Sequence, residues 1–350
     1  MNETNFLINM IGENWVAVLL ITTLPLVFLI LYALLAILGE LKISAFIQER
    51  LGPMRTGPWG TLQPIAEVVK LIQKEDITPD AANKPLYNLA PYIIFTGAYA
   101  AFAVIPFSQY FVPAGLNIGL FYIFAVGSIA VIGLVMGGWA SNNKYSLMGA
   151  LRSVAQLISY EIPGAMAILS IAVLATSLNM VEINKAQSGW FWNWFIFGGP
   201  GTLEKLWVIP FTLGLGLIYM ISSLAETNRT PFDIPEGESE LVAGYHTEYS
   251  GMKFAMFFFA EYANMFVVAA VIATIFLGGW NSPFGDYLSG PIWGAFWFIL
   301  KAFLVVFAQI WIRWTLPRLR VDQLMYLGWK VLLPLSFLCF FVISLYKMLL

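Results

Sequence analysis

Eight stretches of this chain are nearly unbroken runs of apolar residues: 15–38, 88–108, 118–140, 155–177, 207–225, 254–276, 292–312 and 330–348. A run of about 20 such residues is what an α-helix needs to cross the hydrocarbon core of a bilayer. Inside that core a helix satisfies its own backbone hydrogen bonds, which an irregular segment cannot do. The pattern therefore predicts an all-α integral membrane protein. Its expected form is a bundle of about eight transmembrane helices in a single polytopic domain, 1–350. A different pattern lies within the loop 39–87. Leu62, Ile65, Val69 and Ile72 recur at i, i+3, i+7 and i+10, while Glu67, Lys70 and Lys74 fall on other faces. The stretch 61–74 is too short to span and predicts a short interfacial amphipathic helix.

Composition agrees with a membrane protein. Hydrophobic residues make up 59% of the chain and charged residues 11%, against about 25% charged in soluble domains. The formal charge of -2 gives no reason to expect a nucleic-acid partner. No basic segment precedes the first apolar run, so no cleaved signal peptide is expected. Lys and Arg concentrate after spans one, three, five and seven, from Lys42 and Arg50 through Arg152 and Arg229 to Arg318 and Lys330. The opposite loops and ends hold Lys185, Lys205 and Lys347. This bias predicts long loops on the cytoplasmic side and both termini outside. One cysteine, Cys339, and one histidine, His246, exclude an iron–sulfur cluster or a bis-histidine haem held by this chain alone. No metal site is expected.

Against this apolar background the segment 226–253 is acidic. It holds Glu226, Asp233, Glu236, Glu238, Glu240 and Glu248, and Pro231, Pro235 and Gly237 give it a shaped, non-helical character. Glu161 and Glu261 fall about two turns into spans four and six, and Glu40 closes span one. An ionisable side chain inside a span is expensive unless paired or hydrated, and so marks function by default. The set predicts a hydrated carboxylate path from the inner surface toward the midplane. The alternative is structural: pairing of Glu161 and Glu261 with Lys301 or Arg152, or hydrogen bonding to neighbouring helices. His246 is expected as a surface or loop-packing residue. The aromatic residues are expected mostly toward lipid, with Trp190, Trp192 and Trp194 as interfacial anchors. Gly133-x-x-x-Gly137 is expected to pack helices within the bundle.

Three blocks carry a family resemblance. One is Ala225-Glu226-Thr227-Asn228-Arg229-Thr230-Pro231-Phe232-Asp233, continuing through Glu236-Gly237-Glu238-Ser239-Glu240-Leu241. The second runs from Gln48-Glu49-Arg50-Leu51-Gly52-Pro53 to Gly57-Pro58-Trp59-Gly60, followed by Leu62-Gln63-Pro64-Ile65-Ala66-Glu67. The third is Trp311-Ile312-Arg313-Trp314 with Pro317-Arg318-Leu319-Arg320-Val321-Asp322-Gln323-Leu324-Met325. Over essentially the whole chain they resemble the family of the H subunit of bacterial complex I, the proton-pumping NADH:quinone oxidoreductase.

The resemblance implies a quinone-chamber subunit in the bacterial inner membrane that binds no redox cofactor. Quinone would be the substrate, with NADH, FMN and iron–sulfur clusters on partner subunits. Those partners would be peripheral-arm quinone-site subunits, small membrane subunits and antiporter-like subunits, with membrane lipid around them. It implies a coupling path of Glu40, Glu161, Glu226, Asp233, Glu236, Glu238, Glu240, Glu248 and Glu261. It places Arg50, Glu67, Arg229 and Arg313 around the chamber and its entrance. Two positions depart from the family pattern: Glu40-Leu41-Lys42 where Glu-Arg-Lys is expected, and Glu67 where many relatives carry Asp. A stand-alone ion or solute transporter, and the membrane anchor of an energy-converting hydrogenase, are the competing readings.

Overall fold

The computed structural model describes residues 14–201, 206–235, 237–285 and 287–349. In chain order the helices are α1 (Trp15–Ile47), α2 (Gln63–Gln73), α3 (Lys84–Ala101), α4 (Gly119–Ala140), α5 (Lys144–Ala175), α6 (Met180–Ala186), α7 (Ile209–Glu226), α8 (Gly251–Ile275), α9 (Pro291–Thr315) and α10 (Val321–Leu349). Among the described residues, seven helices are long and apolar enough to cross a membrane: α1, α4, α5, α7, α8, α9 and α10. The chain is an all-α integral membrane protein.

The second expected span, 88–108, forms the 18-residue helix α3, which is less apolar than those seven. Asn88, Pro91 and Tyr92 dilute its hydropathy, and the chain leaves the helix before Pro106. It still packs along α4 and α8. Gly133 and Gly137 make the first of these contacts: a Cβ at Gly133 would stand 2.4 Å from Ile94 Cγ1, and one at Gly137 would stand 3.6 Å from the Ala90 Cβ. The small-residue motif thus joins α3 and α4 inside the bundle, as expected.

Two helices begin or end well beyond their apolar runs. α1 continues to Ile47 and α5 begins at Lys144. The added turns of α5 carry Ser146 and Ser153, both buried against other elements. Hydropathy registers the change of medium, whereas a helix continues for as long as packing supports it. Glu161 therefore lies near the middle of α5 rather than two turns from its start. Pro163, just beyond it, removes the helical donor to the Ser159 carbonyl. In α10 a π-helical stretch, Leu327–Leu332, ends shortly before Pro334, which cannot donate to the Lys330 carbonyl.

α8 is the central helix. From Tyr262 to Ile275 nearly every side chain is buried, as befits a helix that is apolar all round. Phe266 on α8 packs against Phe28, Tyr32, Phe102, Phe107 and Phe298, drawn from several other parts of the chain. Part of the aromatic content is therefore core, alongside the many exposed rings on the outer helix faces. The reason is geometric: edge and stacked ring contacts fill the gaps between crossing helices. Trp190 and Trp192 stack on each other at the surface.

α2 covers the stretch predicted as amphipathic. Its Ile65, Val68, Val69 and Ile72 are exposed while Glu67 is half-buried.

Candidate functional site

The site begins where α7 ends. Beyond Glu226 the backbone turns tightly, with Thr227 N donating to Ser223 O and Arg229 N to Leu224 O. Asn228 takes φ +49 in this turn, a left-handed conformation that Asn tolerates better than most residues. The turn sends Glu226, Thr227 and Asn228 into one cavity, while Arg229 enters a charged cluster at the end of α1.

The cavity measures about 60 Å³ and is lined by Glu161 of α5, Glu226 of α7 and Glu261 of α8, with Asn228, Tyr245 and Asn264. At roughly 15 Å³ for each water centre it accommodates on the order of four waters. Three carboxylates from three helices, far apart in sequence, thus share one small polar space. The rest of the lining is apolar and includes Ile94, Leu134, Leu157 and Phe257.

Glu261 is held from the loop side. Tyr245 Oη donates to Glu261 Oε1 at 2.7 Å, and His246 Nε2 stands 3.7 Å from the same oxygen. His246 is buried, with its ring against Tyr245, Phe254 and Phe257. It is therefore not a surface residue. The close approach rests on Gly149 of α5, where a Cβ would come within 2.7 Å of Gly244 Cα. Only glycine lets the turn Gly244–His246 lie directly on the helix.

One residue along α8, Tyr262 opens the second cluster. Its hydroxyl donates to Glu40 Oε2 at 2.6 Å. Arg229 Nη1 donates to both Glu40 oxygens at 3.3 and 3.2 Å, and Arg313 donates to Glu40 Oε1. The Arg229 guanidinium lies over the Tyr262 ring at 4.6 Å. Burial alone would lower the pKa of Arg229. The Glu40 carboxylate more than offsets this and holds it above its ordinary value, with Tyr262 and Glu261 adding to the effect. Glu40 thus carries two guanidinium partners in a buried setting, and adjacent residues of α8 connect this charged node to the cavity.

The rest of the acidic segment is tied to its neighbours. Asp233 Oδ2 accepts from Arg318 Nη2 at 2.6 Å. Burial pushes the Asp233 carboxyl above its ordinary value, and the Arg318 pair only partly reverses this. Glu240 pairs with Arg152 at 2.5 Å on an exposed face, and Glu248 accepts from Asn143 Nδ2 at 2.5 Å.

Comparison with known proteins decides what this arrangement belongs to. The NADH dehydrogenase family matches residues 19–344. The H subunit of NADH-quinone oxidoreductase from Chlorobium luteolum is 56% identical over 92% of this chain and 87% of its own length. The protein of the same name from Chlorobaculum tepidum is 54% identical over 94% and 92%, and that from Bacteroides thetaiotaomicron 45% over 94% and 91%. The chain belongs to the H-subunit family of NADH-quinone oxidoreductase.

The residues that the family resemblance singled out fall into separate groups. Glu161, Glu226 and Glu261 meet in the cavity, and Glu40, Arg229 and Arg313 meet in the node. Asp233, Glu240 and Glu248 each pair elsewhere. Glu238 opens a helical turn, Glu238–Leu241, and Glu236 lies outside the described residues. Arg50 is exposed and donates to Gln48, and Glu67 accepts from Gln63 at 3.2 Å. Neither is seen in the node.

Of the structural alternative, pairing of Glu161 or Glu261 with Lys301 or Arg152 does not form, while hydrogen bonding does at Glu261, from Tyr245. Lys301 donates to the carbonyls of Gly279 and Asn281 and lies 4.1 Å from the Trp194 ring centre, while Arg152 goes to Glu240. Sequence reasoning missed Tyr245, Tyr262 and Arg318. The two tyrosines adjoin His246 and Glu261 in the chain, which is the only signal that pointed to them.

Proposed function

We propose that this chain is the quinone-side membrane subunit of a proton-translocating NADH-quinone oxidoreductase, passing the charge change of quinone reduction to a proton-binding cavity within the bundle. The observation that carries the reading is the meeting of Glu161, Glu226 and Glu261 around one cavity large enough for water. Carboxylates that share a low-dielectric space titrate as a set, so a charge arriving nearby redistributes their protons.

In this reading the peripheral arm delivers electrons from NADH through flavin and iron–sulfur clusters to quinone, and this chain contributes no redox group. Two-electron reduction makes the quinone strongly basic, and it takes up two protons. The Glu40–Arg229–Arg313–Tyr262 node registers the change in charge and transmits it along α8 to Glu261. Tyr245 and His246 orient Glu261 and link it to the loop. Asp233, Glu236, Glu238, Glu240 and Glu248 supply the inner-face end of the path. Arg50 and Glu67 act at the mouth, near the interfacial helix α2. Small membrane subunits and antiporter-like subunits receive the displaced charge. The whole chain forms one polytopic unit in the bacterial inner membrane, with both termini on the outer side.

The test is made on the assembled enzyme in proteoliposomes. Glu161→Gln and Glu261→Gln each keep shape and hydrogen bonding while removing the titratable charge. Protons translocated per NADH and quinone-linked turnover are measured together. Both are expected to fall at least about tenfold, a change of about 1.4 kcal/mol in the controlling step. Wild-type stoichiometry and turnover in both variants refute the reading.

A further inference from the structure

Between α2 and the His246 turn lies a junction that the carboxylate path does not use. The chain leaving α2 passes against the residues that enter α8. Ser250 Oγ accepts from Ile77 N and donates to Glu75 O, both at 3.1 Å, so one hydroxyl grips two backbone groups of the 75–77 strap. Lys253 Nζ pairs with Asp76 Oδ2 at 2.9 Å and lies 5.2 Å from the Tyr87 ring centre. Gly251, at φ +58, lets the backbones touch: a Cβ there would stand 3.1 Å from Lys74 O.

The same junction reaches back toward the cavity. Tyr87, at the start of α3, donates through its hydroxyl to Glu248 O at 2.7 Å. Tyr249 Oη returns a bond to Tyr87 O at 3.2 Å, and the two rings lie parallel, 4.2 Å apart. Burial raises the Tyr249 phenol above its ordinary value, with Tyr87 adding to the effect, so it remains a donor. Tyr249 N closes the turn on His246 O at 3.0 Å.

We propose that this clasp — Ser250, Lys253 and Asp76, backed by the Tyr87–Tyr249 pair — is a positioning device that couples the interfacial helix α2 to the His246–Glu261 contact. The geometry points to this because residues 74–77 and 246–253 are joined by a side-chain grip, an ion pair and a backbone contact. A shift of α2 is therefore carried to residues 246–249. There the 3.7 Å His246–Glu261 separation is slightly too long for a hydrogen bond and closes or opens with a small displacement. Asp76 and Lys253 touch neither the cavity nor the node; they act through the turn.

The inference rests on the reading of Glu261 as a proton-binding group, and the experiment separates the two. Asp76→Asn, Lys253→Met and the exchange Asp76→Lys with Lys253→Asp are assembled into the enzyme and placed in proteoliposomes. NADH oxidation by a water-soluble artificial acceptor checks the peripheral arm. The single variants are expected to lower protons translocated per NADH by roughly twofold to fivefold, the factor by which one half-exposed ion pair biases an equilibrium. KM for NADH is expected to stay unchanged. The exchange is expected to restore the ratio, which a merely structural role for either residue does not predict.

Should a single variant fail to assemble, Ser250→Ala removes only the grip and is read in the same way. Assembled variants with wild-type ratios, or an exchange no better than the singles, overturn the clasp. If Glu261→Gln abolishes pumping while the clasp variants leave it whole, only the clasp falls. If Glu261→Gln itself leaves pumping whole, the proposed function falls first.

Discussion

Glu40 accepts from Arg229, Arg313 and Tyr262 at once, and its side chain is only 9% exposed. At this depth each guanidinium depends on the carboxylate, because an isolated buried charge has neither water nor partner. Arg229→Met is therefore expected to cost about 3–5 kcal/mol, the price of breaking one side of a buried ion pair. The measurement is the midpoint of thermal release of this chain from the purified complex; Tyr262→Phe, which removes one neutral donor to a carboxylate, should cost about 1.5–3 kcal/mol. Charge in an apolar chain marked Glu40, Arg229, Glu161 and Glu261 for attention without any structure. Their partners were not legible in the same way. Arg229 and Glu40 are 189 residues apart, and no local pattern records a pairing made by two different helix ends. His246, expected as a surface or loop-packing residue, is the latter, because its turn folds onto α5 at Gly149.

Helices impose the next level of constraint. The cavity exists because α5, α7 and α8 each bring one carboxylate to the same place, and the spacing of α5 from the Gly244–His246 turn depends on Gly149. Gly149→Ala is expected to push Tyr245 and His246 away, because its Cβ meets backbone that no rotamer change can move. The expected result is loss of proton pumping with the helical content intact, checked by circular dichroism beside the proton-to-NADH ratio. The amphipathic helix α2 and the long apolar helices were readable from periodicity and length. The polar extension of α5 was not, since Ser146 and Ser153 lower hydropathy while being buried by neighbours.

For the molecule as a whole, the asymmetry of Lys and Arg predicts which side each loop occupies. A cysteine introduced as Asn14→Cys should react with an impermeant maleimide added outside intact cells. One introduced as Lys74→Cys should react only after the inner face is opened; the reverse labelling pattern inverts the proposed topology. Length and hydropathy depend on each residue's own transfer energy and on its near neighbours, so the sequence by itself determined a polytopic helical membrane protein with an acidic segment between two apolar runs. Its long motifs also carried the family. Tertiary structure alone decided that three glutamates share a cavity, that Glu40 holds two arginines, that Lys301 turns to backbone carbonyls, and that the strap after α2 is clasped to the start of α8. Each of these depends on which helix faces cross and at what distance, a property of the packed bundle that no single stretch of the chain contains.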